Sequence, residues 1–135
     1  MENIEHDGEL LAIIRRDSDW PEGLSFCTPD ELFIQAGTWQ YDAGKDLAAH
    51  RHKIHERNVT KTQEVAYVKR GRMKVKVYTD AGELIAEPEL GAGDFIILAA
   101  GGHGYEILED GTQVLEVKNG PFIDVSVDKE ALAVD

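Results

Sequence analysis

The sequence predicts an all-β sandwich or barrel, and three observations carry that prediction. Short apolar stretches recur along the chain with glycine, proline or aspartate between them, the spacing of short strands joined by turns. Residues Arg72–Thr79 alternate strictly: Met73, Val75 and Val77 face one way, and Lys74, Lys76 and Tyr78 the other. That is the period-2 pattern of a half-buried strand. No window long enough for a helix carries a 3.6-residue apolar period, so no strong helix is expected.

The elements follow in order. Leu10–Arg15 is the first expected strand, and Asp17–Gly23 reads as a loop. Thr28-Pro29-Asp30-Glu31 is a turn or a single helical turn, while Phe33–Gln35 and Gly37–Tyr41 are extended. Leu47–His52 is the next expected strand, and the polar stretch Lys53–Lys61 an exposed loop. Gln63–Lys69 is a strand that stops at Arg70-Gly71. After Arg72–Thr79, the turn Asp80-Ala81-Gly82 has a glycine where positive φ is tolerated. Glu83–Glu89 pairs back as the other arm of that hairpin. Gly91–Asp94 turns into the apolar strand Phe95–Leu98, and Ala99–Gly102 delivers His103. Tyr105–Leu108 and Thr112–Lys118 form a hairpin about Glu109-Asp110-Gly111. Phe122–Val127 is a last extended segment, and Asp128–Val134 a weak helical turn. No internal repeat or low-complexity segment occurs.

Composition narrows the function classes. The 135 residues suit one domain, and 42% apolar with 30% charged residues is a globular composition. A net charge of −12 repels phosphate backbones and anionic lipid, so neither nucleic acid nor a membrane is expected as partner. The lone Cys27 forms no internal disulfide and reads as a small buried hydrophobe. The amino terminus has no basic and apolar signal pattern, and no apolar run reaches membrane-span length. A cytoplasmic protein is expected.

Three of the five histidines, His50, His52 and His55, fall within six residues. On a strand, residues i and i+2 share a face, so His50 and His52 project together and make a cradle for a borderline metal ion. Glu64 heads the following strand with Ala66 and Val68 on its own face, as suits a barrel interior. His103 follows a glycine turn that lets the backbone bring it toward the other three.

The order of these residues resembles the cupin superfamily. The first cupin motif, a His-x-His pair, a Glu, six residues and a Gly, is matched by His50-Arg51-His52, Glu64 and Gly71. The second, from Gly-Asp through an apolar strand to a His after a glycine turn, is matched by Gly93-Asp94 through His103. The two motifs and the strands around them span roughly residues 37–118 of a single domain, 1–135. Eleven residues separate His52 from Glu64, more than in many cupins. Glu56 stands at the shorter spacing, but only Glu64 keeps the six-residue gap to Gly71. The family's proline-containing turn before the last histidine is replaced by Ala99-Ala100-Gly101-Gly102.

The resemblance implies a double-stranded β-helix, or jelly-roll barrel, with short N-terminal strands. It implies a divalent transition metal (Mn, Fe, Ni or Zn) on His50, His52, Glu64 and His103, a small-molecule ligand, and a homodimer formed by strand exchange or sheet contact. An open metal position allows Lewis-acid chemistry, water activation or O₂ binding. A metal-dependent isomerase, epimerase or lyase acting on a sugar or hydroxy acid leads. An Fe²⁺ dioxygenase and a non-catalytic binding module are the alternatives. His55 and Tyr105 are the candidate proton-moving residues. Tyr67, on the opposite strand parity to Glu64, reads as packing. Gln40, Glu116 and Lys118 are candidate polar neighbours.

Overall fold

The computed structural model describes residues 1–134. Its strands are β1 (Glu2–His6), β2 (Glu9–Arg15), β3 (Gly23–Phe26), β4 (Gly37–Gln40), β5 (Glu64–Arg70), β6 (Arg72–Tyr78), β7 (Leu84–Ala86), β8 (Glu89–Gly91), β9 (Phe95–Leu98), β10 (Gly102–Ile107) and β11 (Gln113–Lys118), with one helical turn, α1 (Val125–Asp128). One antiparallel sheet runs β1-β2-β9-β5-β11. A second runs β10-β6-β7, with β8 also paired to β6, and β3 and β4 form a separate hairpin.

The packing accounts for the sequence pattern. Ala12, Ile14, Ala66, Val68, Ile96 and Leu98 of the first sheet share a core with Met73, Val75, Val77 and Leu90 of the second. Each fully buried side chain of this size contributes about 1.5–3 kcal/mol. Strand β6 is covered on one face only and therefore alternates. Strand β9 is covered on both: Phe95 and Ile97 pack with Ile13 and Cys27 on the outer face, under Ile34 and Ala36. A strand without a solvent face has no place for polar residues, which explains its unbroken apolar run. Tyr67 packs in this outer cluster. The Cys27 thiol is buried among the same residues, and that burial pushes its pKa up.

The expected all-β class holds, with antiparallel sheets. Closure is different: among the described residues the sheets form no closed barrel. The expected strand Leu47–His52 is not a strand; its backbone has no neighbouring strand, and β10 pairs on one side only, with β6. Phe33 and Ile34 lie in bends and Gln35 in irregular chain, so Phe33–Gln35 is not a strand. The segment Phe122–Val127 is also not a strand, because the Asp124 carboxylate accepts from the Ser126 and Val127 amides and starts α1 there. The helical turn accordingly sits at Val125–Asp128 instead of Asp128–Val134. Two strands are additional. Strand β1 pairs with β2 through the two-residue turn Asp7-Gly8, both at positive φ, a hairpin signal readable in the Asp-Gly dipeptide. Strand β3 pairs with β4 around the expected turn region. Among the described residues no helix is long and apolar enough to cross a membrane.

Two turn residues hold these elements in place. Gly71, between β5 and β6, has φ +85°, and a Cβ there would run into Thr112, so only glycine fits. Asp94 accepts from the Gly91 and Asp17 amides at 2.9 Å each and pairs with Arg16 at 3.1 Å. Burial pushes its carboxyl up, but these donors outweigh burial and hold its pKa below the ordinary value. A depressed folded pKa gives stability that is full above the unfolded aspartate value, near 4, and is lost as pH falls through the folded value. Asp94→Ala should therefore cost about 1–3 kcal/mol at neutral pH, measured by urea unfolding, and clearly less near pH 3. An equal loss at both pH values would contradict the charged role of Asp94.

Candidate functional site

Glu64 is the first residue of β5, and its side chain is only 6% exposed. A buried carboxylate needs donors, and β10 of the opposite sheet provides them. The Tyr105 hydroxyl donates to Glu64 Oε1 at 2.6 Å, and His103 Nε2 lies 3.0 Å from the same oxygen. Strand parity explains the convergence: His103 and Tyr105 are two residues apart on β10, so both point to one side. Burial alone pushes the Glu64 carboxyl up. The His103 and Tyr105 hydrogen bonds, with the charges of His103 and Lys118, outweigh it and hold the pKa at about 2. The Tyr105 hydroxyl is shifted upward by burial and by its bond to Glu64, and so keeps its proton.

Lys118 pairs in register with Glu64 on β11, and its ammonium lies 3.2 Å from Glu116 and 3.8 Å from Asp128. The expected polar neighbours Lys118 and Glu116 are thus near the site. Gln40, opposite Gly23 in the hairpin, belongs to the separate two-stranded sheet. A cavity of about 590 Å³ opens over the Glu64 cluster, lined also by Lys61, Asp80, Asp128, Lys129 and Glu130. That volume suits a small molecule.

The four expected ligands are gathered only in part. Glu64 and His103 are in contact. His50 and His52 lie beside each other, with ring centroids 5.3 Å apart, on a segment that is exposed at every residue from Tyr41 to Thr62. Among the described residues no group of three or more His, Cys, Asp or Glu side chains converges as a metal site. Glu56 and His55 are exposed on the same segment, while Tyr105 touches Glu64 directly. Of the two glutamates, only Glu64 meets His103.

Sequence reasoning missed the residue that holds Glu64 in place. Gln63 is 2% exposed. Its Oε1 accepts from the Phe33 and Ile34 amides at 2.8 and 3.1 Å, and its Nε2 donates to Ala99 O at 2.9 Å. Its own amide donates to Asn119 Oδ1 at 2.7 Å. One side chain thereby ties the loop before β4 to the end of β9, next to Glu64. A glutamine beside a glutamate carries no periodic signal, so only tertiary structure reveals this role.

No family model matches the chain, and no curated protein or solved structure matches it. The chemistry of the site therefore rests on its own geometry.

Gln63→Leu keeps the volume but leaves two half-buried amides and a buried carbonyl without this partner. It should cost about 2–4 kcal/mol in urea unfolding; a neutral substitution would show that these bonds do not hold the site.

Proposed function

We propose that Glu64 and His103 are the nucleus of a divalent-metal site and that the protein is a metal-dependent enzyme acting on a small polar substrate. The observation that carries this reading is the 3.0 Å contact between Glu64 Oε1 and His103 Nε2. A metal ion would take the place of the proton in this contact, held by the His103 imidazole nitrogen and the Glu64 carboxylate oxygen. An ion of the Mn, Fe, Ni or Zn type accepts this oxygen and nitrogen together. The fit is partial within one chain, because such a site takes at least three protein ligands and Tyr105, which keeps its proton, is a poor third. His50 and His52 have the missing chemistry, and their ring separation of 5.3 Å suits two imidazoles on one ion. In this reading the two sheets are the layers of a double-stranded β-helix, and Leu47–His52 is the strand that belongs on the open edge of β10.

The cavity walls favour a hydroxylated or carboxylated substrate. Lys61 and Lys129 provide donors for oxygen atoms, and Asp80, Asp128 and Glu130 accept from hydroxyls. Leu98, Ala100, Ala131 and Leu132 add apolar wall beside these charges, so it is the five charged groups that set isomerase, epimerase or lyase chemistry on a sugar or hydroxy acid ahead of dioxygenase chemistry. When bound, the metal polarises a carbonyl or hydroxyl oxygen as a Lewis acid. Tyr105, at 2.6 Å from Glu64, holds a proton at the cavity wall for exchange with substrate oxygen.

Purified protein dialysed against Mn²⁺ or Zn²⁺ should retain stoichiometric metal by elemental analysis. His103→Ala and Glu64→Gln should lose most of it, since each removes one of the anchoring donors, while Glu56→Gln should keep it. Full metal in both anchor variants would sink the metal reading, and loss in Glu56→Gln would move the carboxylate ligand to the exposed segment.

A further inference from the structure

The segment between β4 and β5 is built to leave its own chain. All residues from Tyr41 to Thr62 are exposed, among them Leu47, Val59 and the fully exposed Ile54. Among the described residues, the only hydrogen bond from Asp46 to Thr60 is local, between the His50 ring and Ala48 O. Its amides and its apolar side chains are therefore free to add to the open edge of a sheet. The body of the molecule has a matching vacancy. Among the described residues strand β10 pairs with β6 alone, so its outer edge presents unpaired backbone groups beside His103 and Tyr105. The edge and the expected strand have the same length, six residues each in Gly102–Ile107 and Leu47–His52.

Charge points the same way. Residues 42–62 contain five basic and three acidic side chains, a net +2, which leaves −14 on the rest of the chain. A basic arm is drawn to an acidic body. Apolar surface adds to this: Leu115 and Val117 of β11 and Trp39 of β4 are each about half exposed or more, at 58%, 49% and 58%. Exposed apolar surface of this kind is available for a second copy to cover.

We infer that the arm of one subunit pairs with the β10 edge of a second copy and places the partner's His50 and His52 beside Glu64 and His103. The active unit is then a homodimer with two metal sites, each built from two chains. The exchange is reciprocal under two-fold symmetry, and Glu56 and His55 travel with the arm to the rim of the partner's cavity. This inference rests on the metal reading above and adds where the other two ligands come from.

Complementation separates the two. One chain carries His50→Ala and His52→Ala with one affinity tag; the other carries His103→Ala with a second tag. Each homodimer alone should hold little Zn²⁺ by elemental analysis. The doubly tagged heterodimer pairs the intact arm of the His103→Ala chain with the intact body of the other. It should recover roughly half the wild-type metal per dimer, because one site is complete and one lacks all three histidines. The arm variants lie on exposed residues, so the fold is untouched; if His103→Ala disturbs folding, Glu64→Gln takes its place. Wild-type protein that binds metal as a monomer by light scattering, or heterodimers without recovered metal, would overturn arm exchange and leave the metal reading standing. Wild-type protein that binds no metal would overturn both.

Discussion

A carboxylate buried where two sheets meet is the constraint around which this molecule is arranged. Glu64 opens β5 of one sheet, and its two donors, His103 and Tyr105, stand on β10 of the other. Burying a charge in this way costs several kcal/mol before its hydrogen bonds compensate, and an apolar residue at the head of β5 would pack against Leu98 at no such cost. Ala66 and Val68, the next two positions on the same face, are fully buried and apolar. The charge at the end of so apolar a face is held there by its hydrogen bonds across the two sheets.

The surroundings of Glu64 serve its position. Gln63 fastens the backbone on its N-terminal side through hydrogen bonds to two loops, and Asn119 closes the neighbouring strand against it. The turn before β10 passes through Gly101 at φ +68°, where a Cβ would meet Tyr78 O; this close approach brings His103 onto the edge of the cavity. Lys118 and Asp128 complete a charged rim. In the proposed reading, rigid strands with fixed hydrogen-bonded partners would hold one half of the metal site and the exposed arm the other half.

Much of this was legible in the sequence, for physical reasons. Strand β6 was readable because one face is buried and the other wet, and β9 because both faces are buried. Glu64 and His103 could be paired from motif spacing, and Tyr67 assigned to packing from its parity, because strand periodicity is a two-residue rule that tertiary structure seldom overrides. The arm was legible in part: Lys53–Lys61 is the exposed loop its polar sequence predicts, while Leu47–His52 is not the expected strand. Leu47–His52 has the composition of a strand, but a strand exists only where an edge receives it, and sequence periodicity says nothing about which chain owns that edge. Strand β1 was missed because Glu2–His6 is an exposed edge with a single apolar residue facing inward; its Asp-Gly turn was the signal available. Gln63 was beyond reach, since its role comes from three loops distant in sequence.

The most direct test of the account is the X-ray absorption spectrum of Zn²⁺-loaded protein at the metal edge. A site built from Glu64, His103, His50 and His52 would give a first shell of nitrogen and oxygen at about 2.0–2.2 Å, with multiple scattering from three imidazoles. A first shell without imidazole scattering, or with that of a single ring, would contradict the assembly of His50, His52 and His103 around one ion.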